Sequence, residues 1–160
     1  MVLDRIDKKI LNTLQENGRI TNSKLSQIVG ISAPATLERV KRLEQAGVIS
    51  HFMAVVDPEK IGISITALVS IGLSLDNLES VEVIKEKFSQ LEEVVECYQI
   101  AGADDFILKV MARNIKAYGA FMNQKLTQIP GIHSIKSSFI IDNVKEKKMF
   151  QLNLEEEYVV

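Results

Sequence analysis

The 160-residue chain holds one cysteine, Cys97, and two histidines, His51 and His133, each far from the others. Neither a zinc ligand set nor a Cys–His nucleophile pair has that spacing, so no metal, no catalysis and no cofactor are expected. Cys97 lies within Val94 to Ile100 and reads as a buried strand thiol. The side chains able to do chemistry are of two other kinds. Between Arg19 and Arg42 stand five cations, Arg19, Lys24, Arg39, Lys41 and Arg42, against one acid, Glu38, a local balance of +4 in a chain of net charge −2. Their chemistry is the binding of phosphates. Gly102-Ala103-Asp104-Asp105 places two carboxylates beside a glycine whose backbone can approach a ligand closely. An ammonium can meet the acids there while loop N–H groups take a carboxylate. The same four residues also suit a plain hairpin turn.

The cations need elements to carry them. Thr21 can cap a helix whose apolar positions Leu25, Ile28 and Val29 recur at helical spacing, and Gly30 stops it. Ser32 offers the next N-cap, Pro34 suits a first turn, and Leu37, Val40 and Leu43 form the expected inner stripe. Two short helices around a glycine turn, the second with a basic face, make a helix-turn-helix whose recognition helix enters the major groove. Ala33, Pro34, Ala35 and Thr36 lead that helix, with Thr36 placed to meet a thymine methyl, and Arg39, Lys41 and Arg42 placed to hold phosphates. Thr21, Ser23, Lys24 and Ser32 complete the expected DNA-contacting set. An ordinary hairpin with a solvated charged face shares this local pattern. The neighbours argue against it: Asp4 starts an earlier helix with Ile6, Ile10, Leu11 and Leu14 on one side, and the β-rich Val48 to Val56 suits a two-stranded wing ended by Asp57-Pro58. On this reading Arg39→Ala or Arg42→Ala weakens DNA binding and leaves the fold intact.

Beyond Lys60 the periodicity changes. Ile65, Ala67, Val69, Ile71 and Leu73 alternate as one face of a strand, and Leu78 to Leu91 turns Val81, Ile84, Phe88 and Leu91 inward at helical spacing. Strands follow at Val94 to Ile100 and Asp105 to Ala112, a helix at Ile115 to Gln128 with Tyr118, Phe121, Met122 and Leu126 inside, then a strand from Ile132 to Ile141. The order βαββαβ is ferredoxin-like, or ACT-like, and the fold class is α+β. The tail from Met149 to Leu154 alternates like an edge strand, suited to a neighbour, before Glu155-Glu156-Glu157.

A chain of this length holds one ordinary domain or two small ones, and only two leave room for a separate head. The expected division is 1–60, a winged helix-turn-helix with its linker, and 61–160, a sensing and assembly domain. With 46% hydrophobic and 25% charged residues, no apolar run of membrane-spanning length and a charged start rather than a leader peptide, the chain is expected to be cytoplasmic, with no membrane partner.

The segments LDRID (3–7), GRITNSKLSQIVGIS (18–32), LERVKRLEQAGVI (37–49) and DPEKIG (57–62), with LEEVVECYQIAGADDFILKV (91–110) and PGIHSIKSSFI (130–140), resemble the Lrp/AsnC family of transcription regulators over nearly the whole chain. The resemblance implies a sequence-specific regulator binding double-stranded DNA as a homodimer or higher assembly, an octamer included, whose state an amino acid effector modulates. It also implies that Gly102, Ala103, Asp104 and Asp105 match the family's G-x-x-D effector segment, with Asp105 the aligned acid. The family's T-x-T positions correspond to Ile135 and Ser137; Ser138 can stand in for the missing hydroxyl through a bulge, and the loss favours an aliphatic or methionine-like effector. The competing reading is a small-molecule-binding module whose head contacts protein rather than DNA.

Overall fold

A computed structural model describes residues 1–74, 81–145 and 149–159. These divide into two compact units, Met1–Val55 with Lys145–Val160, and Val56–Val144.

The first unit is built on three helices, α1 (Arg5–Glu16), α2 (Asn22–Val29) and α3 (Ala33–Gln45). Asp4 caps α1 in a reciprocal box, its carboxylate taking the amides of Ile6 and Asp7 while Asp7 returns a bond to the Asp4 amide. Thr21 caps α2, Gly30 ends it at φ 81°, a conformation a side chain resists, and Ser32 caps α3. Leu3, Ile10, Leu11, Leu25, Val29 and Leu43 form the core.

Two apolar expectations fail for one reason. Leu37 is 46% exposed and Ile28 53% exposed, whereas Thr36 and Ser26 are buried. The Thr36 hydroxyl donates to the Ser32 carbonyl at 3.0 Å and that of Ser26 to the Ser23 carbonyl at 2.8 Å, so each polar residue is satisfied locally and can face inward. The inner stripe of α3 is therefore Thr36, Val40 and Leu43, and Leu37 turns to solvent.

The expected wing also changes. Among the described residues no strand forms at 48–56. Val48 and Ile49 both donate to the Leu43 carbonyl, closing α3, and Phe52, Met53, Val55 and Val56 then run on, at least half exposed. The tail belongs with the first unit, not with 61–160, because Leu152 and Tyr158 pack against its core.

The second unit is a four-stranded antiparallel sheet in the order β2-β3-β1-β4, formed by β1 (Ile65–Leu73), β2 (Val94–Gln99), β3 (Phe106–Ala112) and β4 (Ile132–Phe139), with α4 (Val81–Ser89) and α5 (Ile115–Gln124) as crossovers. The βαββαβ expectation holds; positions 78–80 of the expected first crossover helix lie outside the described residues. Period-two alternation places Ala67, Val69 and Ile71 of β1 and Phe106, Leu108 and Val110 of β3 on one buried face, covered by Ile84, Phe88, Tyr118 and Phe121. Burying each large side chain contributes roughly 1.5–3 kcal/mol. Gly72 lies opposite Ser134, whose Oγ would stand 2.5 Å from an added Cβ, so a side chain there would force the serine hydroxyl to rotate away.

Cys97 is exposed on the edge strand β2, not buried. Desolvation about its sulfur outweighs the pull of Lys85 and keeps the thiol above its ordinary pKa, so the thiolate is disfavoured.

Candidate nucleic-acid interface and ligand loop

In the first unit, α2 and α3 are fixed to each other at their starts. The Asn22 side-chain amide donates to the Ala33 carbonyl at 2.7 Å, and the Thr21 and Ser32 hydroxyls accept the amides of Lys24 and Ala35 at 3.3 and 3.4 Å. Ser23, Lys24, Pro34 and Lys41 are exposed, Ala33 and Ala35 half-buried. A helix N-terminus led by Ala-Pro-Ala can approach a duplex closely with its unpaired N–H groups, a geometry that favours phosphate. Thr36 cannot take part: it is fully buried, so the expected contact with a thymine methyl is withdrawn.

Arg39 and Arg42 do something the sequence did not suggest. Arg39 Nη1 donates to Asp4 Oδ2 at 2.6 Å and to Asp7 Oδ1 at 2.9 Å. Arg42 Nη2 reaches Asp7 Oδ1 and Oδ2 at 2.9 and 2.8 Å. Asp7 is 0% exposed, so its charge depends on these two guanidiniums and the Asp4 amide. Burial raises the Asp4 carboxyl, but the Asp7 amide, the Arg39 guanidinium and the Ile6 amide favour its ionised form more, leaving it below its ordinary value of 3.8. Arg39, bonded first of all to Asp4, is held above its ordinary value.

The acids of α1 thus clamp the recognition helix. Substituting either arginine is therefore expected to disturb the fold, where the sequence alone predicts that it stays intact. Lys24 and Lys41 are different: among the described residues they make no ion pair, and both stand exposed on α2 and α3. Arg42, with its side chain 48% exposed, retains a solvent-facing edge.

In the second unit, the loop before β3 is held by its acids. Asp105 Oδ2 accepts the Leu73 amide at 2.7 Å, its own amide donates to the Ile71 carbonyl, and its carbonyl accepts from Ile100. Asp104 Oδ1 pairs with Lys136 Nζ at 3.1 Å. Lys136 of β4 therefore lies beside the loop. Gly102 has no positive φ and open space where a Cβ would stand, so nothing in the fold requires glycine there.

Ser137 and Ser138 are separated by the sheet. Ser137 opposes Val69 and Ser138 opposes Leu68, and the one register shift of this pairing lies at Gly72/Leu73, so no bulge brings Ser138 to the face of Ser137. Ser138 does not replace the missing hydroxyl. Tyr118, read from sequence only as core, donates to Ser137 Oγ at 2.5 Å and packs edge-on against Phe139 with ring centroids 5.0 Å apart. Its position in the aromatic stripe of α5 gave no sign of that polar contact.

Comparison with known proteins matches both units. Residues 3–50 fit the family model for a winged helix-turn-helix DNA-binding domain, and residues 66–150 fit the model for the Lrp/AsnC ligand-binding domain. The chain is 38% identical over 145 residues to the transcriptional regulator AzlB of Bacillus subtilis, covering 91% of this chain and 92% of that one. It is 35% identical over 144 residues to the leucine-responsive regulatory protein of Escherichia coli, covering 90% and 88%. A transcriptional regulator of Neisseria meningitidis, solved as a complex with L-methionine, superposes with a TM-score of 0.88 at 30% identity, covering 96% of this chain and 97% of that one.

Proposed function

Because the chain belongs to the Lrp/AsnC family of DNA-binding transcription regulators, with a helix-turn-helix head and an amino-acid-binding domain, we propose residue roles on that premise. Ala33, Pro34 and Ala35 approach base edges; Thr21, Ser23, Lys24, Ser32, Lys41 and the outer edge of Arg42 hold phosphates. The carrying observation is that α3 is clamped by Asp4 and Asp7 while Lys41 stays exposed on it. The chain works in the cytoplasm, where chromosomal DNA is reached, and among the described residues no helix is long and apolar enough to cross a membrane.

The test is the salt dependence of DNA binding. Removing one phosphate-binding cation should reduce the log–log slope by about 0.9, so Lys24→Ala/Lys41→Ala should flatten it by nearly two and weaken binding to all sequences alike. An unchanged slope in a folded variant overturns the assignment.

The effector is an amino acid with an apolar side chain, methionine being the instance suggested by the Neisseria relative. Its ammonium meets Asp105 or Asp104, loop amides around Gly102 and Ala103 take its carboxylate, and Ser137 adds a hydroxyl beside Ile135. Gly102, unneeded by the fold, gives the ligand its approach. The helix-free sheet face, with Leu68 42% exposed, supports pairing into a homodimer, and dimers assemble further toward an octamer. The ligand acts by linkage, shifting assembly only as far as its affinity differs between states. Asp105→Asn keeps an acceptor for the Leu73 amide while removing the charge. It should retain DNA binding and lose any L-methionine-induced change in sedimentation; a wild-type response contradicts the role.

A further inference from the structure

The surface of α1 bearing Lys8, Asn12 and Gln15 is occupied by the chain's own tail. The Gln15 amide exchanges two bonds with the backbone of Phe150, donating to its carbonyl at 2.8 Å and accepting its N–H at 2.7 Å. Asn12 does the same with Leu152, at 3.0 and 2.8 Å. Lys8 Nζ donates to the carbonyls of Leu154, at 2.9 Å, and Glu156, and lies 5.6 Å from the Tyr158 ring centroid. Leu3 and Val2 then pair with Tyr158 and Val159.

Helix positions 8, 12 and 15 fall on one face about one turn apart, with rises of about 6 Å from 8 to 12 and about 4.5 Å from 12 to 15. Alternate residues of an extended chain advance by about 6.6 Å. The near match lets successive turns of α1 read every second tail residue through its backbone. Lys8 is 5% exposed, so its ammonium is withdrawn from solvent and satisfied by tail carbonyls.

What this ladder holds against the head is charge. Residues 1–55 carry eight Lys and Arg against five Asp and Glu, a balance of +3; residues 145–160 carry Lys145, Lys147 and Lys148 against Glu146, Glu155, Glu156 and Glu157, a balance of −1, with three of the acids consecutive at the docked end. Docking therefore brings three carboxylates onto the unit that meets DNA, where they oppose its positive charge. Only Glu155 is ion-paired among the described residues, weakly, with Arg5 at 3.9 Å and both side chains largely exposed. Since α1 also carries the acids that clamp α3, one helix receives the tail and positions the recognition helix.

We propose that the tail, docked on α1 through its backbone, is an autoinhibitory strap whose three carboxylates lower the DNA affinity of the head. The inference rests on the DNA-binding reading of the head. Release of the strap raises affinity at low salt, and screening removes the difference at high salt.

The test uses the full chain in three forms, wild type, E155Q/E156Q/E157Q and N12A/Q15A, titrated onto labelled random duplex DNA across a salt series. The glutamine triple variant keeps the backbone ladder and loses the charge; the second variant loses the Asn12 and Gln15 rungs, leaves that of Lys8, and keeps the charge. Both should bind about three- to tenfold more tightly than wild type at low salt, converging with it at high salt. Hydrogen exchange at the Phe150 and Leu152 amides should speed up in N12A/Q15A alone. Equal low-salt affinity of wild type and the glutamine variant overturns the strap, as does unchanged exchange in N12A/Q15A. Absence of DNA binding by all three forms instead sinks the DNA-binding reading on which it rests.

Discussion

Replacing Arg39 and Arg42 together with Ala is expected to destabilise the helix-turn-helix unit by about 3–5 kcal/mol, the usual cost of leaving a buried charge without its partner. The charge is that of Asp7, 0% exposed, which takes three of the four arginine bonds in the network. A domain has only about 5–15 kcal/mol of stability in total, so the variant head should be largely unfolded on mild heating. Urea or thermal melts measure it, and adding Asp7→Asn to the double variant should restore part of the loss, since the amide carries no charge to strand. A double variant as stable as wild type contradicts the clamp. Acid supplies a second check. Asp4 sits below its ordinary 3.8, so its contribution is fully present above that value and is lost as pH falls through the lower folded one. Wild-type stability should fall in that acid range, and Arg39→Ala should fall less steeply.

Phe88→Ala is expected to cost the ligand-binding unit a similar amount, about 3–5 kcal/mol. Phe88 is fully buried on α4 and meets Phe106 of β3 edge-to-face, with centroids 5.4 Å apart and planes at 74°. The loss combines the transfer of a large ring, the cavity left between helix and sheet, and the aromatic pairing itself. Phe88→Leu, which fills much of that space, should cost clearly less. Urea unfolding checks both: the midpoint should move while the m-value stays constant. A shift under about 1 kcal/mol for Phe88→Ala would mean that α4 does not seal the core.

Local chemistry was legible in the sequence. Asp4, Thr21 and Ser32 cap helices as their side chains allow, and the alternation in 65–73 identifies a central strand. Long-range polar partners were not. Asp7 and Arg42 are 35 positions apart, and no spacing rule joins them. A stripe of apolar positions likewise cannot foretell that Thr36 goes inside and Leu37 outside, because the decision rests on a hydroxyl satisfied by the carbonyl one turn earlier. The β propensity of 48–56 named a strand, but propensity supplies no ladder partner, and that stretch finds none among the described residues. The alternation of the tail suggests an edge strand for a neighbour, whereas its docking runs through backbone atoms, which every sequence shares.

The recognition helix, held by Asp4 and Asp7 and led by Ala33-Pro34-Ala35, makes a direct claim on DNA sequence. Fluorescence-anisotropy titration of the full chain onto duplex from upstream of its own gene, against random duplex of equal length at matched salt, tests it. Sequence-specific recognition predicts preference for the upstream duplex by about 10³-fold or more, with affinity for both falling steeply as salt rises. Equal affinity for the two duplexes, or binding indifferent to salt, would contradict it.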